Sequence, residues 1–387
     1  MLVVHNRYRL RGGEDAVFEA ETALLERAGH AVRTLVLHND EVDEGGKLAL
    51  AAGAVWNRDG RARVERAARE HRAEVVHFHN TLPLVSPAGY YGARAAGAAV
   101  VQTLHNYRLV CPGALLFRDG GPCERCVGKA FAASGVRHGC YRESPAATLA
   151  VATMTTAHRA LGTWQRAVDR YITLTHFARG KFIQGGLPAD RLVVKPNPLA
   201  HDPGEGRGEG GFALYVGRLD RGKGVETMAE AWRRDASLPP LVIVGDGPLA
   251  WVAESLAAEQ PDRVQWLGWR DHDEVLAHMQ DAGGLVFPSE VYEGAPMGII
   301  EAQACGLPVV ASRRGAMETM VIHGETGYHF TPGDPTDLAI AVHRLFGTDS
   351  TPLRRNARTA FTSTYAPDVN LRHLVAVYHE ALAVRAA

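Results

Sequence analysis

The stretch Leu285–Ala311, LVFPSEVYEGAPMGIIEAQACGLPVVA, contains the pattern that decides the fold of this chain. A short apolar run ends at Phe287, a loop rich in Gly and Pro follows, and an Ala-rich segment begins near Met297. A second apolar run, Pro308–Ala311, comes directly after that segment. Apolar runs without polar alternation are typical of parallel strands buried on both faces. The stretch therefore predicts a strand–helix–strand unit of a parallel α/β sheet.

The same alternation of short apolar runs and helix-length segments extends over the whole chain. The predicted strands of the first half are Leu2–Val4, Val32–Leu37, Val75–His79, Ala99–Leu104, Tyr171–Thr175 and Leu192–Lys195. Those of the second half are Phe212–Val216, Leu241–Val244, Val264–Leu267, Leu285–Phe287, Pro308–Ala311 and Gly327–Phe330. Each half therefore predicts one doubly wound α/β unit, which agrees with a length of 387 residues at roughly 150 residues per domain.

We expect two Rossmann-like domains that face a central cleft, because open α/β sheets bind ligands at the carboxyl ends of their strands. The N-terminal domain spans 1–198 and the C-terminal domain spans 212–366. Between them, 199–211 contains a Gly-rich charged stretch without periodicity, which predicts a flexible linker. The last segment, 367–387, has apolar residues at helical spacing and predicts one amphipathic helix.

The composition excludes several classes of function. A net charge of −1 gives no overall field that favours nucleic acid or an acidic membrane. No stretch approaches the ~18 apolar residues that span a bilayer, and no basic segment precedes an apolar run at the N-terminus. We therefore expect a cytoplasmic protein, at most peripheral to the inner face of the membrane. The five cysteines are better interpreted as reduced thiols or metal ligands than as disulfides.

Two carboxylates flank the helix start in the opening stretch. Glu293 lies in the loop at the end of a strand, and Glu301 lies about one turn into the helix. A loop carboxylate can hydrogen-bond sugar hydroxyls, a helix carboxylate can bind a ribose diol, and the helix N-terminus favours a diphosphate. From the spacing alone, two solvated acids at a helix start are an equally good interpretation.

A second motif is Leu214–Gly224. In it, Arg218 follows the end of a predicted strand, and Lys223 lies in the Gly-rich turn before the next helix. Two cations on a short strand–turn–helix connection suit a diphosphate, since charge-assisted contacts contribute roughly 1.5–3 kcal/mol each. The alternative is two exposed basic residues in a loop.

In their order along the chain, these motifs resemble the family 4 retaining glycosyltransferases, which have the B-type fold of two Rossmann-like domains. The most specific element is Glu293…Glu301 with its Ala-Cys-Gly-x-Pro-Val-Val tail. Many members have Gly where this chain has Pro296, so a backbone contact to the sugar must come from Met297 or Gly298. The resemblance implies that the C-terminal helix crosses back to the N-terminal domain.

The resemblance also implies roles for individual residues. The implied catalytic set consists of Glu293, His105, Arg218 and Lys223. In this set, Glu293 and His105 contact the donor sugar, and the two cations contact the diphosphate. The implied donor-binding residues are Gly12, Gly13, Arg218, Lys223, Arg270, Glu293, Gly294, Met297, Gly298 and Glu301.

The predicted acceptor contacts lie in the first half. His79 and Asn80 end a strand and could face the acceptor. Arg7, Arg9 and Arg11 would share one side of an extended loop and could recognise an anionic acceptor, although a solvated loop is an equally good interpretation.

Four cysteines follow His105: Cys111, Cys123, Cys126 and Cys140. One C-x2-C pair with two outlying cysteines resembles a structural zinc knuckle, in which His138 could replace one thiolate. The spacing matches no particular zinc module, and free thiols or a redox-labile pair are the alternative.

The predicted function is retaining transfer of a sugar from a UDP- or GDP-linked donor to a hydroxyl of a glycan, a lipid-linked glycan or a small metabolite. Retaining hydrolases hold two carboxylates ~5 Å apart, one as nucleophile. Glu293 and Glu301 are assigned to opposite ends of the donor, so no covalent enzyme intermediate is expected. The resemblance implies that catalysis needs no cofactor or metal. The rival interpretations are a phosphorylase or epimerase of similar fold and a non-catalytic sugar-nucleotide-binding protein.

Overall fold

The computed structural model describes residues 1–8, 12–41 and 46–386, which fall into two compact units. The first unit consists of Met1–Leu116, Cys123–Ala200 and Pro367–Ala387. The second consists of His201–Ala366 and the short segment Phe117–Pro122, which the chain supplies from within its first half.

The strands are short, as expected for sheets covered on both faces. They are β1 (Leu2–Arg7), β2 (Arg33–His38), β3 (Val75–Asn80), β4 (Ala99–Leu104), β5 (Phe117–Arg118), β6 (Gly121–Pro122), β7 (Arg170–Thr173), β8 (Leu192–Val194), β9 (Ala213–Val216), β10 (Leu241–Val244), β11 (Val264–Gly268), β12 (Gly284–Phe287), β13 (Val309–Ser312) and β14 (Gly327–Phe330). All twelve strands predicted from the sequence are present, and the hairpin β5–β6 is additional.

Helices connect the strands. They are α1 (Gly13–Arg27), α2 (Lys47–Val55), α3 (Arg58–Glu70), α4 (Ala88–Ala95), α5 (Ala133–Arg137), α6 (Pro145–Ala160), α7 (Thr163–Arg166), α8 (His176–Gln184), α9 (Val225–Arg234), α10 (Ala250–Glu259), α11 (His272–Asp281), α12 (Met297–Ala304), α13 (Met317–Met320), α14 (Pro335–Phe346), α15 (Thr351–Ala360) and α16 (Pro367–Ala386). Short 3-10 turns cover Asn39–Glu41 and Ala189–Arg191, and a π-helical turn covers Phe361–Tyr365. Among the described helices, none combines the length and apolar character needed to cross a membrane.

Each unit is built on one six-stranded parallel sheet. The strand order is β2-β1-β3-β4-β7-β8 in the first unit and β11-β10-β9-β12-β13-β14 in the second. Consecutive strands are added in one direction and then in the other, so each sheet has a point where the order reverses. That switch point lies between β1 and β3 in the first sheet and between β9 and β12 in the second. The expected pair of Rossmann-like α/β units is confirmed.

The last helix, α16, packs on the first unit. Its Leu374, Val377 and Ala381 are buried in one apolar cluster with Val3 of β1 and Val101 of β4. The amphipathic pattern predicted for this segment therefore covers a sheet face of the first unit.

The Gly-rich stretch expected to be a flexible linker is instead held along the second unit. The backbone N–H groups of Gly206, Gly208 and Gly210 donate to the carbonyls of Cys305, Gln280 and Asp281, respectively, over 2.9–3.0 Å. A Cβ at Gly206 would lie 2.2 Å from the carbonyl oxygen of Gln280, so glycine is required for this close approach. Composition alone did not distinguish a flexible glycine run from glycines that allow tight backbone packing.

Candidate functional site

The switch point of the second sheet brings two of the predicted motifs together. The loop after β9 carries Lys223 and the loop after β12 carries Glu293, and Lys223 Nζ lies 2.7 Å from Glu293 Oε1. Ser289 Oγ donates to the same carboxylate oxygen over 2.6 Å. Since β9 and β12 are neighbours in the sheet, residues distant in sequence meet at one edge. Ser289 was not predicted, although it lies two residues after the strand end in the deciding stretch.

Two glycines shape the turn that presents Lys223. Gly222 and Gly224 have φ values of +79° and +71°, the left-handed region that favours glycine. A Cβ at Gly224 would lie 2.0 Å from the carbonyl oxygen of Pro288. The N–H of Glu290 also donates to the carbonyl of Gly222 over 2.7 Å. The two loops are therefore joined through their backbones, which fixes where Lys223 stands relative to Glu293.

Arg218 lies at the start of the same loop with most of its side chain in solvent. Its Nε is 3.2 Å from Asp220 Oδ2, and its carbonyl accepts from the Tyr215 hydroxyl over 3.2 Å. Such an exposed ion pair contributes little to stability, so an incoming anion can compete for the guanidinium. The predicted phosphate role of Arg218 agrees with this placement and stays a prediction.

Glu301 lies on the first turns of α12 and is largely buried. Its Oε1 lies 3.0 Å from Nε2 of His272, the first residue of α11. His272 was not predicted, and its only signal in the sequence is its place two residues after Arg270, which was assigned to the donor. The Arg270 guanidinium contacts neighbouring residues of the chain: it donates to the carbonyl of Trp269, and its Nε lies 3.8 Å from Glu274 Oε1. Its donor contact stays a prediction.

The N-terminus of α12 supplies the backbone donors that the sequence indicated. Pro296 is the N-cap residue, and Met297 and Gly298 are the first two helical residues, both half-buried. N–H groups at these positions have no partner within the helix and point out of its N-terminal end. Gly294 lies in the preceding loop, beside Glu293. The arrangement offers N–H groups for a sugar hydroxyl or a phosphate oxygen.

In the first unit, a buried polar network lies at the carboxyl end of β3. Glu21 of α1 accepts from Lys195 Nζ and lies 3.4 Å from His79 Nε2. His77 contacts the Thr103 and Tyr378 hydroxyls at 2.8 and 2.9 Å. The prediction that His79 faces an acceptor is therefore not supported, since the ring is buried among these groups. Nothing but the His-x-His spacing on β3 pointed to this network, whose members are distant in sequence.

Burial controls the charge of this network. It lowers the pKa of His77 and His105 well below the ordinary histidine value and also lowers the pKa of His79. Burial alone would raise the pKa of the Glu21 carboxyl, yet the Lys195 ammonium and His79 hold it well below its ordinary value. At neutral pH the network therefore contains one compensated ion pair and neutral imidazoles.

His105 lies directly after β4, half-buried, with its Nε2 3.0 Å from His79 Nδ1. Asn80, the second predicted acceptor residue, uses its side chain inside the unit. Its Nδ2 donates to the carbonyl of Asn6 over 2.7 Å, and its Oδ1 accepts from the N–H of Leu82. The amide therefore braces β1 against β3, and its bonds do not support an acceptor contact.

Gly12, the residue before α1, is hydrogen-bonded to a side chain of that helix. The N–H of Gly12 donates to Asp15 Oδ2 over 2.8 Å, and Asp15 Oδ1 lies 2.9 Å from His5 Nε2. This N–H is therefore engaged, whereas Gly13 is exposed as the first residue of α1. Arg7 donates to Glu19 over 2.7 Å, which reduces its availability for an anionic acceptor. The neighbouring Arg9 and Arg11 lie outside the described residues.

The four cysteines of the zinc hypothesis lie near one another without a disulfide. Burial raises the pKa of the Cys126 thiol, and the nearby Cys111, Cys140 and Cys123 thiols raise it further. A tetrahedral zinc with ~2.3 Å bonds needs sulfurs closer than ~4 Å to one another. Within the described part of the chain, the only three or more His, Cys, Asp or Glu ligand atoms that lie within 4.8 Å of one another are those of Glu21, His77 and His79. The zinc site at these four cysteines stays a prediction.

Comparison with known proteins places both motifs of the second unit in a matched region. Residues 211–348 match the family model described as Glycosyl transferases group 1. A glycogen synthase from Mycobacterium tuberculosis is 36% identical over 152 residues, which cover 38% of this chain and 36% of that enzyme. The chain thus spans about a third of the length of this curated relative.

Likeness in structure extends over both units. HepE of Anabaena in complex with UDP has a TM-score of 0.68 and 17% identity, with 98% of this chain and 99% of that chain covered. A sucrose-phosphate synthase from Thermosynechococcus elongatus has a TM-score of 0.70 and 19% identity, with 99% of both chains covered. The likeness to these structures establishes the fold class of this chain, two Rossmann-like α/β units that are each built on a parallel sheet.

Proposed function

We propose that this protein is a retaining glycosyltransferase that uses a UDP- or GDP-linked sugar and an acceptor hydroxyl of a glycan, a lipid-linked glycan or a small metabolite. The observation that carries the proposal is the meeting of Lys223 and Glu293 at the switch point of the second sheet. This cation and this acid lie inside the region that matches group 1 glycosyl transferases. HepE, a structural neighbour, is described in complex with UDP-glucose, which supports a nucleotide-sugar donor.

The geometry suits a donor whose charge lies between two sugar rings. Arg218 and Lys223 supply positive charge for the diphosphate, and the N-terminus of α12 adds backbone donors. Glu293 then binds hydroxyls of the transferred sugar, and Glu301 binds the ribose. Before the donor arrives, Lys223 and Glu293 neutralise each other over 2.7 Å, which keeps both side chains oriented.

In the transfer step, the bond between the anomeric carbon and the phosphate oxygen breaks. The acceptor oxygen forms its bond on the same face, and the acceptor proton passes to the departing phosphate oxygen. Arg218 and Lys223 stabilise the negative charge that develops on this leaving group. The side chains of this chain therefore contribute binding and electrostatics, and none of them becomes covalently attached to the sugar.

Alanine variants of the two cations test the proposal. Arg218→Ala and Lys223→Ala should each lower kcat/KM by about 10²–10³-fold, because each removes a charge that acts on the leaving group. Arg221→Ala is the matched control, since Arg221 is exposed on the same turn and should retain the activity of the parent protein. Near-parental turnover in both Arg218→Ala and Lys223→Ala would remove the phosphate assignment.

The product decides between the proposal and its rivals. NMR of the new linkage should show the anomeric configuration of the donor, and an inverted centre would contradict the retaining mechanism. Formation of sugar 1-phosphate from inorganic phosphate would favour a phosphorylase. Tight donor binding by calorimetry without turnover on a panel of acceptors would favour a non-catalytic sugar-nucleotide-binding protein.

A further inference from the structure

Three side chains of the first unit form a row that leads from the protein interior to His105. Glu21 Oε2 lies 3.4 Å from His79 Nε2, and His79 Nδ1 lies 3.0 Å from His105 Nε2. Glu21 and His79 are both buried, whereas His105 is half-buried at the end of β4. The row therefore connects a buried carboxylate to the one histidine that the sequence analysis assigned to the donor sugar.

The position of the protons in this row follows from what each group can donate. A carboxylate only accepts hydrogen bonds, so a bond between Glu21 and His79 requires the proton on His79 Nε2. A neutral imidazole carries a single proton, which makes His79 Nδ1 an acceptor. His105 must then donate to it from Nε2. Glu21 Oε2 and His79 Nε2 are both buried, and neither has a hydrogen-bond partner of ordinary geometry among the described residues. Since they lie 3.4 Å from each other, a weak bond between them satisfies two buried atoms at once.

We propose that Glu21 and His79 are positioning residues, which hold the His105 imidazole in the tautomer with its proton on Nε2. The remaining ring nitrogen, Nδ1, then presents a lone pair. His105 in this state accepts a hydrogen bond from a hydroxyl and repels a phosphate oxygen. Resting on the proposed function, in which His105 contacts the donor sugar, the inference is that Glu21 and His79 decide which nitrogen of His105 accepts a hydrogen bond.

Lys195 determines which carboxylate oxygen of Glu21 faces His79. Its ammonium donates to Glu21 Oε1, so Oε2 is the oxygen directed to His79. The same ammonium disfavours a metal ion, even though ligand atoms of Glu21, His77 and His79 lie within 4.8 Å of one another. A divalent cation would lie beside a buried positive charge, and both nitrogens of His77 are already hydrogen-bonded. The cluster is therefore assigned to proton positioning.

The tautomers can be measured without any substrate. In the parent protein labelled with 15N-histidine, long-range 1H–15N NMR should show the proton on Nε2 of both His79 and His105. His105→Ala and His79→Gln assign the two signals by their loss. A proton on Nδ1 of His105 would overturn the proposal, and this measurement needs no variant that perturbs Glu21.

Glu21→Gln should reverse both tautomers. The amide oxygen of glutamine would face Lys195 and its NH2 group would face His79, which would then accept at Nε2 and carry its proton on Nδ1. His105 would in turn accept at Nε2 and carry its proton on Nδ1. Glu26→Gln, an exposed substitution on the same helix, is the matched control and should leave both tautomers unchanged. Unchanged tautomers in Glu21→Gln would overturn the proposal.

Kinetics separate positioning from general stability. Glu21→Gln should lower kcat/KM by up to about tenfold in the parent protein, because His105 Nδ1 would donate to the hydroxyl from which it had accepted, and that hydroxyl would have to turn its own proton to another partner. It should have no further effect in a His105→Ala background, because the relay acts only through His105. An additive loss in the double variant would overturn the proposal. If the protein shows no transfer at all, the proposed function fails, while the NMR result on the tautomers still stands or falls by itself.

Discussion

Each unit contains a Lys–Glu pair near the switch point of its sheet, and the two pairs differ in their access to solvent. Lys195 and Glu21 in the first unit have side chains that are each only 1% exposed. Lys223 and Glu293 in the second unit are 34% and 14% exposed. A buried pair cannot separate without leaving an uncompensated charge, whereas a half-exposed pair can exchange its partner for a ligand. A Lys–Glu pair therefore stabilises the fold of the first unit, and the proposed function assigns the more accessible pair of the second unit to ligand binding.

The surrounding groups support this contrast. The first pair is enclosed by His77 and His79, whose pKa values burial lowers. In the second pair, Lys223 lies on a Gly-rich turn, and Glu293 accepts a hydrogen bond from Ser289 in the loop before α12. Burial thus favours neutral groups around Glu21, and exposure allows full charges around Glu293.

The largest expected effect comes from making the same substitution in both pairs. Lys195→Ala should lower the free energy of unfolding of the first unit by about 3–5 kcal/mol, since it leaves the Glu21 carboxylate buried and unpaired. Lys223→Ala should change the free energy of unfolding of the second unit by less than about 1 kcal/mol. Native-state hydrogen exchange of the β3 and β9 amides would report the two units separately. Equal losses in both units would break the comparison.

A smaller effect is expected at Glu301, the other acid of the second unit. Glu301→Gln keeps the shape of the side chain but removes the charge that strengthens a hydrogen bond to the ribose diol. Because a hydrogen bond to a charged group contributes about 1.5–3 kcal/mol, calorimetry should show donor binding weakened roughly tenfold to hundredfold. Glu318→Gln, an exposed acid of the same unit, is the control. Unchanged affinity in Glu301→Gln would remove the ribose assignment while leaving Lys223 untouched.

The sequence was most informative where the site is local. Arg218 and Lys223 lie on one short connection, and Glu293 and Glu301 lie on another. Their motifs could therefore be recognised from their order along the chain and from the family resemblance, whereas the spacing alone left solvated surface residues as an equally good interpretation. The twelve parallel strands were predicted for a similar reason, because each is a continuous apolar run between helical segments.

The buried network was not predictable in this way. Lys195 and Glu21 are 174 positions apart, and His77 and Tyr378 are 301 positions apart. Apart from His77, which lies two positions before His79 on β3, none of these residues lies in a spacing that indicates chemistry, and only the fold of the chain brings them together. His79 shows the consequence, since a strand-end histidine was assigned to the acceptor and the structure places it behind His105 instead.

The smallest expected effect tests whether α16 contributes to this network or only covers it. Tyr378 of α16 contacts His77 Nδ1 over 2.9 Å, while His77 keeps Thr103 on its other nitrogen. Tyr378→Phe retains the buried ring and removes one hydrogen bond, so the free energy of unfolding of the first unit should fall by about 1 kcal/mol. His379→Ala, exposed on the same helix, should change it by less than about 0.5 kcal/mol.

Chemical denaturation of both variants would measure the difference. A loss in Tyr378→Phe well above that of the control would show that the hydroxyl stabilises the histidines behind His105. Equal stability of the two variants would instead mean that α16 acts through apolar packing alone. The buried network would then end at His77, and the first unit would depend on the C-terminal helix only for the cover that it gives to the sheet.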